Sequence, residues 1–220
     1  MSGVQVMSSG VPGGSMKIRV RGASSVNKSN DPLYVVDGIV RETGLEGISP
    51  EDIQSIQVLK DASSTAIYGA RGANGVVMVQ TKSGKAGATQ VTFDASVGFS
   101  SAYHIPEVMG TKEYAQALID YKGVSQGAMQ DYLDGTKPGI DWMDELLRTG
   151  ITQNYKVAVS QGNDKTQTYF SANYMDQKGV ITDTSSKRYA IKANMHNKIF
   201  DWLEMTADIK LAQTDNSGAD

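Results

Sequence analysis

The chain contains no cysteine among its 220 residues, which excludes disulfide bonds and thiol chemistry. It also lacks any apolar run of about 18 residues, so no transmembrane helix is expected, although short membrane strands are not excluded by this. Histidine is scarce. His104 and His196 lie far apart without the spacing of metal ligands, so we expect no metal site.

Charge is nearly balanced along the chain. The net charge is −3 and the sequence pI is about 5.4, which gives no electrostatic reason to expect a nucleic-acid partner. The first 20 residues have no basic segment followed by a long apolar stretch and a cleavage site, so no signal peptide is recognised in this chain. Read alone, that start would place the protein in the cytoplasm.

Motifs of enzymes and nucleotide-binding proteins are missing as well. The glycines of GARGANG do not follow the G-x-G-x-x-G spacing, and TKSGK lacks the upstream glycine and the final Ser or Thr of a P-loop. No G-x-S-x-G sequence occurs. The acidic pair Glu51-Asp52 is better explained as a helix start than as an acid–base pair. We therefore predict no catalytic, metal or cofactor site and no enzyme activity.

The first part of the chain predicts a small α/β unit. Ser49-Pro50-Glu51-Asp52 has the residue types of a helix N-terminus, because Ser49 can cap and Pro50 suits the first helical position. A second helix is predicted over Ala62–Tyr68, capped by Asp61. Strands are predicted over residues 16–22, 32–37, 56–59 and 76–81, from alternation or from buried apolar runs.

The second part predicts β-strands that alternate between apolar and polar residues. In the clearest of five such segments, Leu203, Met205 and Ile209 oppose Glu204 and Asp208. The other four segments begin near Val91, Tyr155, Gln167 and Tyr189. Each is about as long as a tilted membrane strand, roughly 9–11 residues. A soluble antiparallel sheet with one wet face has the same period, and the pattern alone slightly favours that sheet.

The connections between these segments alternate in length. Tight turns are predicted at residues 162–164 and 200–201, whereas the connections over 100–150 and 177–188 are longer. Long loops on one side and short turns on the other are typical of an outer-membrane barrel. The longest connection predicts helices over Thr111–Tyr121 and Asp141–Arg148. They could cap the substrate side, but packing at the barrel mouth is favoured.

Several ordered blocks carry a family resemblance: GVQV, IRVRG, PLYVVDG and PEDIQSIQVLKDASSTAIYGARGANGVVMVQTKSG. They closely resemble the plug domain of TonB-dependent outer-membrane transporters, in the SusC/RagA branch. The resemblance implies an α+β chain with a plug over residues 1–84, its start missing, and about five strands of an incomplete barrel over 85–220, with the helical loop at 100–150. The residues that match the plug motifs are Arg21, Gly22, Pro32, Asp37, Gly38, Lys60, Asp61, Tyr68, Gly69, Arg71, Gly72, Asn74 and Gly75.

The resemblance also implies a function. The full-length family member would lie in the cell outer membrane of a Gram-negative, Bacteroidetes-like bacterium, surrounded by lipid, and import oligosaccharides or peptides. Its implied partners are a SusD-like surface lipoprotein and the TonB–ExbB–ExbD complex, with no nucleic acid. Since the matched chain is short, we expect a fragment of a transporter. The alternative is a soluble binding or interaction module derived from a truncated transporter gene.

Charged and aromatic residues give two further expectations. Arg21 and Arg71 are expected to pair with carboxylates of the plug or barrel wall, because charges enclosed in a lumen are costly unless matched. The wall candidates are Asp94, Glu204 and Asp208. Tyr103, Trp142 and Tyr169 could stack on sugar rings, but packing or interface roles are favoured, so no substrate-binding residue is named.

Overall fold

A computed structural model describes residues 4–8, 10–14, 16–20, 31–61 and 65–218. The chain is α+β, with a small mixed unit followed by a run of antiparallel strands, as the sequence predicts. We call the four-stranded sheet of the first unit the plug sheet and the five-stranded sheet of the second the wall sheet. In the described part of the chain, no helix is long and apolar enough to cross a bilayer.

The plug sheet has the strand order β4-β3-β6-β5. Its strands are β3 (Leu33–Val36), β4 (Ile39–Arg41), β5 (Ile53–Leu59) and β6 (Val76–Thr81). The two central strands, β3 and β6, run parallel, whereas the outer two pair antiparallel with them. A separate antiparallel hairpin, β1 (Val4–Ser8) and β2 (Met16–Val20), precedes this sheet.

Valine-rich runs place the core of the plug between this hairpin and the plug sheet. Such runs suit strands that are covered on a whole face, where branched side chains pack closely. Val77 is fully buried and belongs to a hydrophobic cluster with six other buried residues. They are Ile18, Val20, Tyr34, Val36, Ile48 and Val79.

The two short helices predicted in the plug differ from the structure. The first is only a 3₁₀ turn, Pro50–Asp52, because β5 begins directly after it at Ile53. The hydroxyl of Ser49 donates to the Glu51 carboxylate and forms no cap with the backbone. Residues 62–64 of the second lie outside the described residues, and a 3₁₀ segment broken at Gly69 follows over Ala66–Gly72.

The wall sheet is a meander in which each strand pairs with the next one along the chain. All five alternating segments form strands, and each strand is longer than its alternating core. They are β7 (Gly87–Ser100), β8 (Gly150–Gly162), β9 (Thr166–Lys178), β10 (Ser185–Phe200) and β11 (Leu203–Ser217).

The register of the wall sheet aligns like residues across all five strands. One cross-strand row consists of Phe93, Val157, Ala172, Ile191 and Leu211. The adjacent row consists of Thr92, Ala158, Ser171, Lys192 and Lys210. Successive residues of a strand point to opposite faces, so the first row belongs to an apolar face and the second to a polar one.

Three helices lie in the long connection between β7 and β8: α1 (Thr111–Lys122), α2 (Gln126–Leu133) and α3 (Trp142–Leu146). Helix α1 begins at Thr111, as predicted, and its cap is Gly110, whose N–H donates to the Glu113 carboxylate at 3.1 Å. Helix α3 is shorter than the predicted 141–148, because Asp141 is its cap and accepts from two backbone N–H groups. Helix α2 was not predicted.

Substitution of Gly75 tests how closely the hairpin packs against the plug sheet. Its φ is +92°, and an added Cβ would lie 2.8 Å from the Cγ1 of buried Val20. Gly38 has a similar φ of +84° with open space around it. We expect Gly75→Ala to lower the stability of the plug sheet by roughly 2–4 kcal/mol, from left-handed strain plus overpacking. Gly38→Ala, with the strain alone, should cost about 1–2 kcal/mol.

The measurement is hydrogen exchange of the β3 and β6 amides, which reports the free energy of opening this sheet. Equal losses for the two variants would show that Gly75 is required only for its φ.

Candidate functional site

Burial in the wall sheet is the reverse of that in a soluble sheet. Over β8, β9 and β10 the polar face is covered by the plug, whereas the large apolar side chains of the opposite face are exposed. On β8, for example, Lys156 is 1% exposed while the adjacent Val157 is 43% exposed. The same contrast separates buried Ser171 from exposed Phe170, its neighbour on β9. The covered polar face, with the plug residues against it, is the candidate site.

Asp52 is the centre of this interface. It ends the 3₁₀ turn before β5 and is buried. Its carboxylate lies 2.8 Å from Nζ of Lys156 on β8. It also accepts hydrogen bonds from the hydroxyls of Tyr169, at 3.0 Å, and Ser171, at 2.9 Å, both on β9. One plug carboxylate is thereby bound by two neighbouring wall strands.

Glu51 extends the same contact through its backbone and its side chain. Its carbonyl accepts from Nζ of Lys156 at 2.7 Å. Its carboxylate accepts from the amide of Asn154 at 2.6 Å, and the amide of Asn173 donates in turn to Asn154 at 2.8 Å. The turn that contains Glu51 and Asp52 is therefore fixed to strands β8 and β9.

A second contact centres on Asp37, which follows β3. Its carboxylate accepts from the backbone N–H of Thr81 at 2.8 Å and from the Thr81 hydroxyl at 2.6 Å. Nζ of Lys210 on β11 lies 2.6 Å from the same carboxylate and 3.3 Å from Asp208. Asp37 thus joins β6 of the plug to the last strand of the wall sheet.

Lys192 on β10 contacts the plug through neutral groups. It is 3% exposed and donates to the hydroxyl of Thr81 and to the carbonyl of Lys82. Its Nζ also lies 5.4 Å from the ring centre of Tyr169. In the described part of the chain it forms no ion pair. Lys192 therefore connects the Asp37 and Asp52 contacts without neutralising either.

The carboxylates of Asp52 and Asp37 are held in the charged form. Burial alone raises the pKa of Asp52, but the hydrogen bond and charge of Lys156, with the hydroxyls beside it, bring that pKa below its ordinary value. For Asp37, burial is likewise outweighed by bonds from Lys210 and Thr81, and its pKa is lowered. Both groups are therefore ionised at neutral pH.

The arrangement supplies reversible attachment and no covalent chemistry. A buried, hydrogen-bonded ion pair adds little net stability but is costly to break on one side. Among the described residues, no three acidic or imidazole side chains lie close enough together to hold a metal ion.

The motif residues predicted from the sequence are distributed over the plug. Asp37 lies in the interface, and Gly38 completes the turn after it. Arg21 and Gly22 lie outside the described residues. The rest flank β3, β5 and β6: Pro32, Lys60, Asp61, Tyr68, Gly69, Arg71, Gly72, Asn74 and Gly75.

Of the two predicted arginine pairs, that of Arg21 lies outside the described residues, and that of Arg71 does not form within them. Arg71 is exposed and makes no ion pair there. Asp208 instead lies beside Lys210, and Glu204 lies 4.0 Å from His196. The plug supplies the carboxylates and the wall supplies lysines, which is the opposite polarity to the one predicted. The alternating pattern could have indicated these lysines, because Lys156, Lys192 and Lys210 all lie on the polar side of their strands.

The three aromatic candidates have different surroundings. Tyr103 and Trp142 are 92% and 71% exposed in the long connection. Tyr169 is only 5% exposed and binds Asp52, so it is an interface residue and cannot stack on a ligand in this state.

Comparison with known families identifies the first unit. Residues 1–76 match the family described as the TonB-dependent Receptor Plug Domain. The chain is 39% identical over 196 residues to TonB-dependent receptor P3 of Formosa agariphila, covering 88% of this chain and 18% of that protein. It is 35% identical over 231 residues to TonB-dependent receptor SusC of Bacteroides thetaiotaomicron, covering all of this chain and 22% of that protein.

Solved structures agree. A structure of the RagAB peptide transporter aligns with a TM-score of 0.86 and 30% identity, over 97% of this chain and 28% of that one. The siderophore receptor PirA of Acinetobacter baumannii shares the fold, with a TM-score of 0.59 and 17% identity.

These are receptors and transporters, not enzymes. Along its whole length the chain is similar to TonB-dependent receptors, and SusC and RagA are among the relatives that it matches. It spans about a fifth of the length of the curated relatives that it matches.

Breaking one side of the Asp52 contact should loosen the plug. Asp52→Asn leaves Lys156 buried without a carboxylate, so we expect a loss of roughly 3–5 kcal/mol in the free energy of unfolding. Urea titration of the detergent-folded chain measures it. Adding Lys156→Met to this variant removes the orphaned charge and should recover part of the loss.

The matched control is Asp201→Asn, which removes a carboxylate that pairs with Lys198 on the fully exposed tight turn. Its effect should be small, because exposed pairs contribute little. A loss as large as that of Asp52→Asn would indicate a general charge effect instead of a buried contact.

Proposed function

We propose that this chain provides the plug and the opening wall strands of an outer-membrane receptor that takes up a nutrient, either a glycan or a peptide. The observation that carries the proposal is the reversed burial of the wall sheet. Over β8, β9 and β10 its polar face is covered by the plug, whereas Val157, Phe170 and Ile191 on the apolar face are exposed. Only an apolar surrounding satisfies such a sheet, and lipid is the surrounding that the family provides.

The aromatic side chains support a membrane position. Tyr174 and Tyr189 lie with their ring centres 5.1 Å apart towards the long-loop end of the wall sheet. Phe200 and Trp202 stack at 5.6 Å beside the tight turn at the other end. Aromatic residues at both ends of an apolar band are typical of a membrane barrel, where they lie at the two lipid interfaces.

The pattern of buried and exposed side chains in the wall sheet argues against the alternative, a soluble module. Such a module would bury Val157, Phe170 and Ile191 and leave Lys156 and Lys192 in water. The opposite is found. A contiguous apolar surface of this kind in water would promote aggregation.

The plug contacts suit a part that must move. Residues 1–84 would form the plug and 85–220 the first wall strands with the loop at 100–150. Ligand would bind from outside, beneath a SusD-like lipoprotein, and TonB–ExbB–ExbD would draw on the plug. The attachment consists of hydrogen bonds and ion pairs, which can break and re-form without covalent change. The similarity of this chain to SusC and to the RagAB peptide transporter supports this proposal.

Lipid exposure can be tested directly, since the chain has no cysteine of its own. We expect a bimane label on Ala172→Cys, in the apolar row of β9, to be quenched by lipids with brominated acyl chains. The same label on Ala128→Cys, exposed on α2, should be quenched only by water-soluble iodide. Quenching of both positions by iodide alone would contradict a membrane wall.

Uptake is tested in the bacterium that carries the gene. Deletion should abolish uptake of at least one labelled oligosaccharide or peptide from a panel, and the native gene should restore it. Dissipating the proton gradient should give the same loss, because the import is energised from the inner membrane. Unchanged uptake of the whole panel would refute the proposal.

A further inference from the structure

One basic side chain on the covered face of the wall, Lys192, has no carboxylate partner among the described residues. Lys156, Lys192 and Lys210 all point to this face, from strands β8, β10 and β11. Arg188 on β10 points the same way, and two of its guanidinium nitrogens are buried without a hydrogen-bond partner. From the plug, Asp52 pairs with Lys156 and Asp37 pairs with Lys210.

The register makes the unpaired charge of Lys192 costly. Lys192 and Lys210 are direct cross-strand partners. Like charges directly opposite each other destabilise a sheet, and a buried ammonium group is expensive without an ion pair. Asp208 lies 3.3 Å from Lys210 and relieves part of the repulsion, but no carboxylate pairs with Lys192 in the described residues.

Attachment of the plug does not require that charge. Lys192 binds only a hydroxyl and a backbone carbonyl of the plug, and a neutral amide could donate to both. A positive charge at a buried position that does not need one suggests a second state in which the charge is used. That state follows when the plug withdraws and the carboxylates of Asp37, Glu51 and Asp52 leave the wall.

We propose that Lys156, Lys192 and Lys210 then form a cationic track for cargo that carries carboxylate groups. The inference rests on the proposed function. In the closed state, Asp37 and Asp52 occupy the places that cargo carboxylates take during passage. The plug therefore blocks the track sterically and by charge at once, and acidic cargo competes with the plug for the same lysines.

Two sources of carboxylate are distinguishable, an oligosaccharide that contains uronic acid and a peptide rich in Asp and Glu. Each is compared with a neutral counterpart of equal length in cells whose full receptor carries Lys192→Gln. We expect uptake of the acidic member of one pair to fall about fivefold, the effect of one screened charge at contact distance. Uptake of its neutral counterpart should not change.

Lys187→Gln is the matched control, since this lysine lies on the same strand but on the other, exposed face. It should change neither uptake. Lys192→Arg keeps the charge and should retain the preference for acidic cargo.

Equal losses for acidic and neutral cargo in Lys192→Gln would overturn the track and make this lysine a plug contact only. No loss for either, or an unaltered receptor that imports only neutral cargo, would also overturn it while leaving the proposed function intact. An unaltered receptor that imports none of the four would refute the proposed function itself.

Discussion

The architecture depends on a constraint on one sheet, whose polar and apolar faces need different surroundings. The polar face of the wall sheet holds three lysines and a row of hydroxyl and amide groups, and over β8, β9 and β10 it is buried because the plug covers it and supplies partners. In the part of the chain that the structure describes, no other element covers the apolar face, and its large side chains are exposed. The plug is thus as necessary to the wall as a hydrophobic core is to a soluble domain.

Satisfying that polar face also limits how firmly the plug is held. A core of packed valines would join the two units by dispersion and would resist separation over its whole area. Ion pairs and hydrogen bonds act at a few points, and water can replace each of them as the units part. The plug keeps its valines for its own interior, around Val77, and presents Asp37 and Asp52 to the wall. The apolar core of the plug is therefore separate from its polar contacts with the wall.

Much of this could be predicted from the sequence, because alternation and strand register are local. The row from Phe93 to Leu211 follows from period two and short turns, and the valine runs give β3 and β6. The pairing of Asp52 with Lys156 could not be predicted. It joins residues 104 positions apart and depends on how two sheets dock. Helix α2 was missed because Gly127 weakens its local signal, while packing against α1 supports it.

The interface pairs plug carboxylates with wall lysines, whereas the sequence analysis expected plug arginines to pair with wall carboxylates. Arginines stood out because they belong to recognisable plug motifs, yet Arg71 lies exposed. The lysines lie in the alternating strands of the wall sheet, where a charged residue is usually assigned to a solvent-exposed face. Once Lys156 and Lys192 are known to be buried, their partners must come from the covering unit, because a buried ammonium group requires them. The positions of the acidic and hydroxyl groups of the plug therefore depend on the wall lysines that they contact as well as on the plug's own fold.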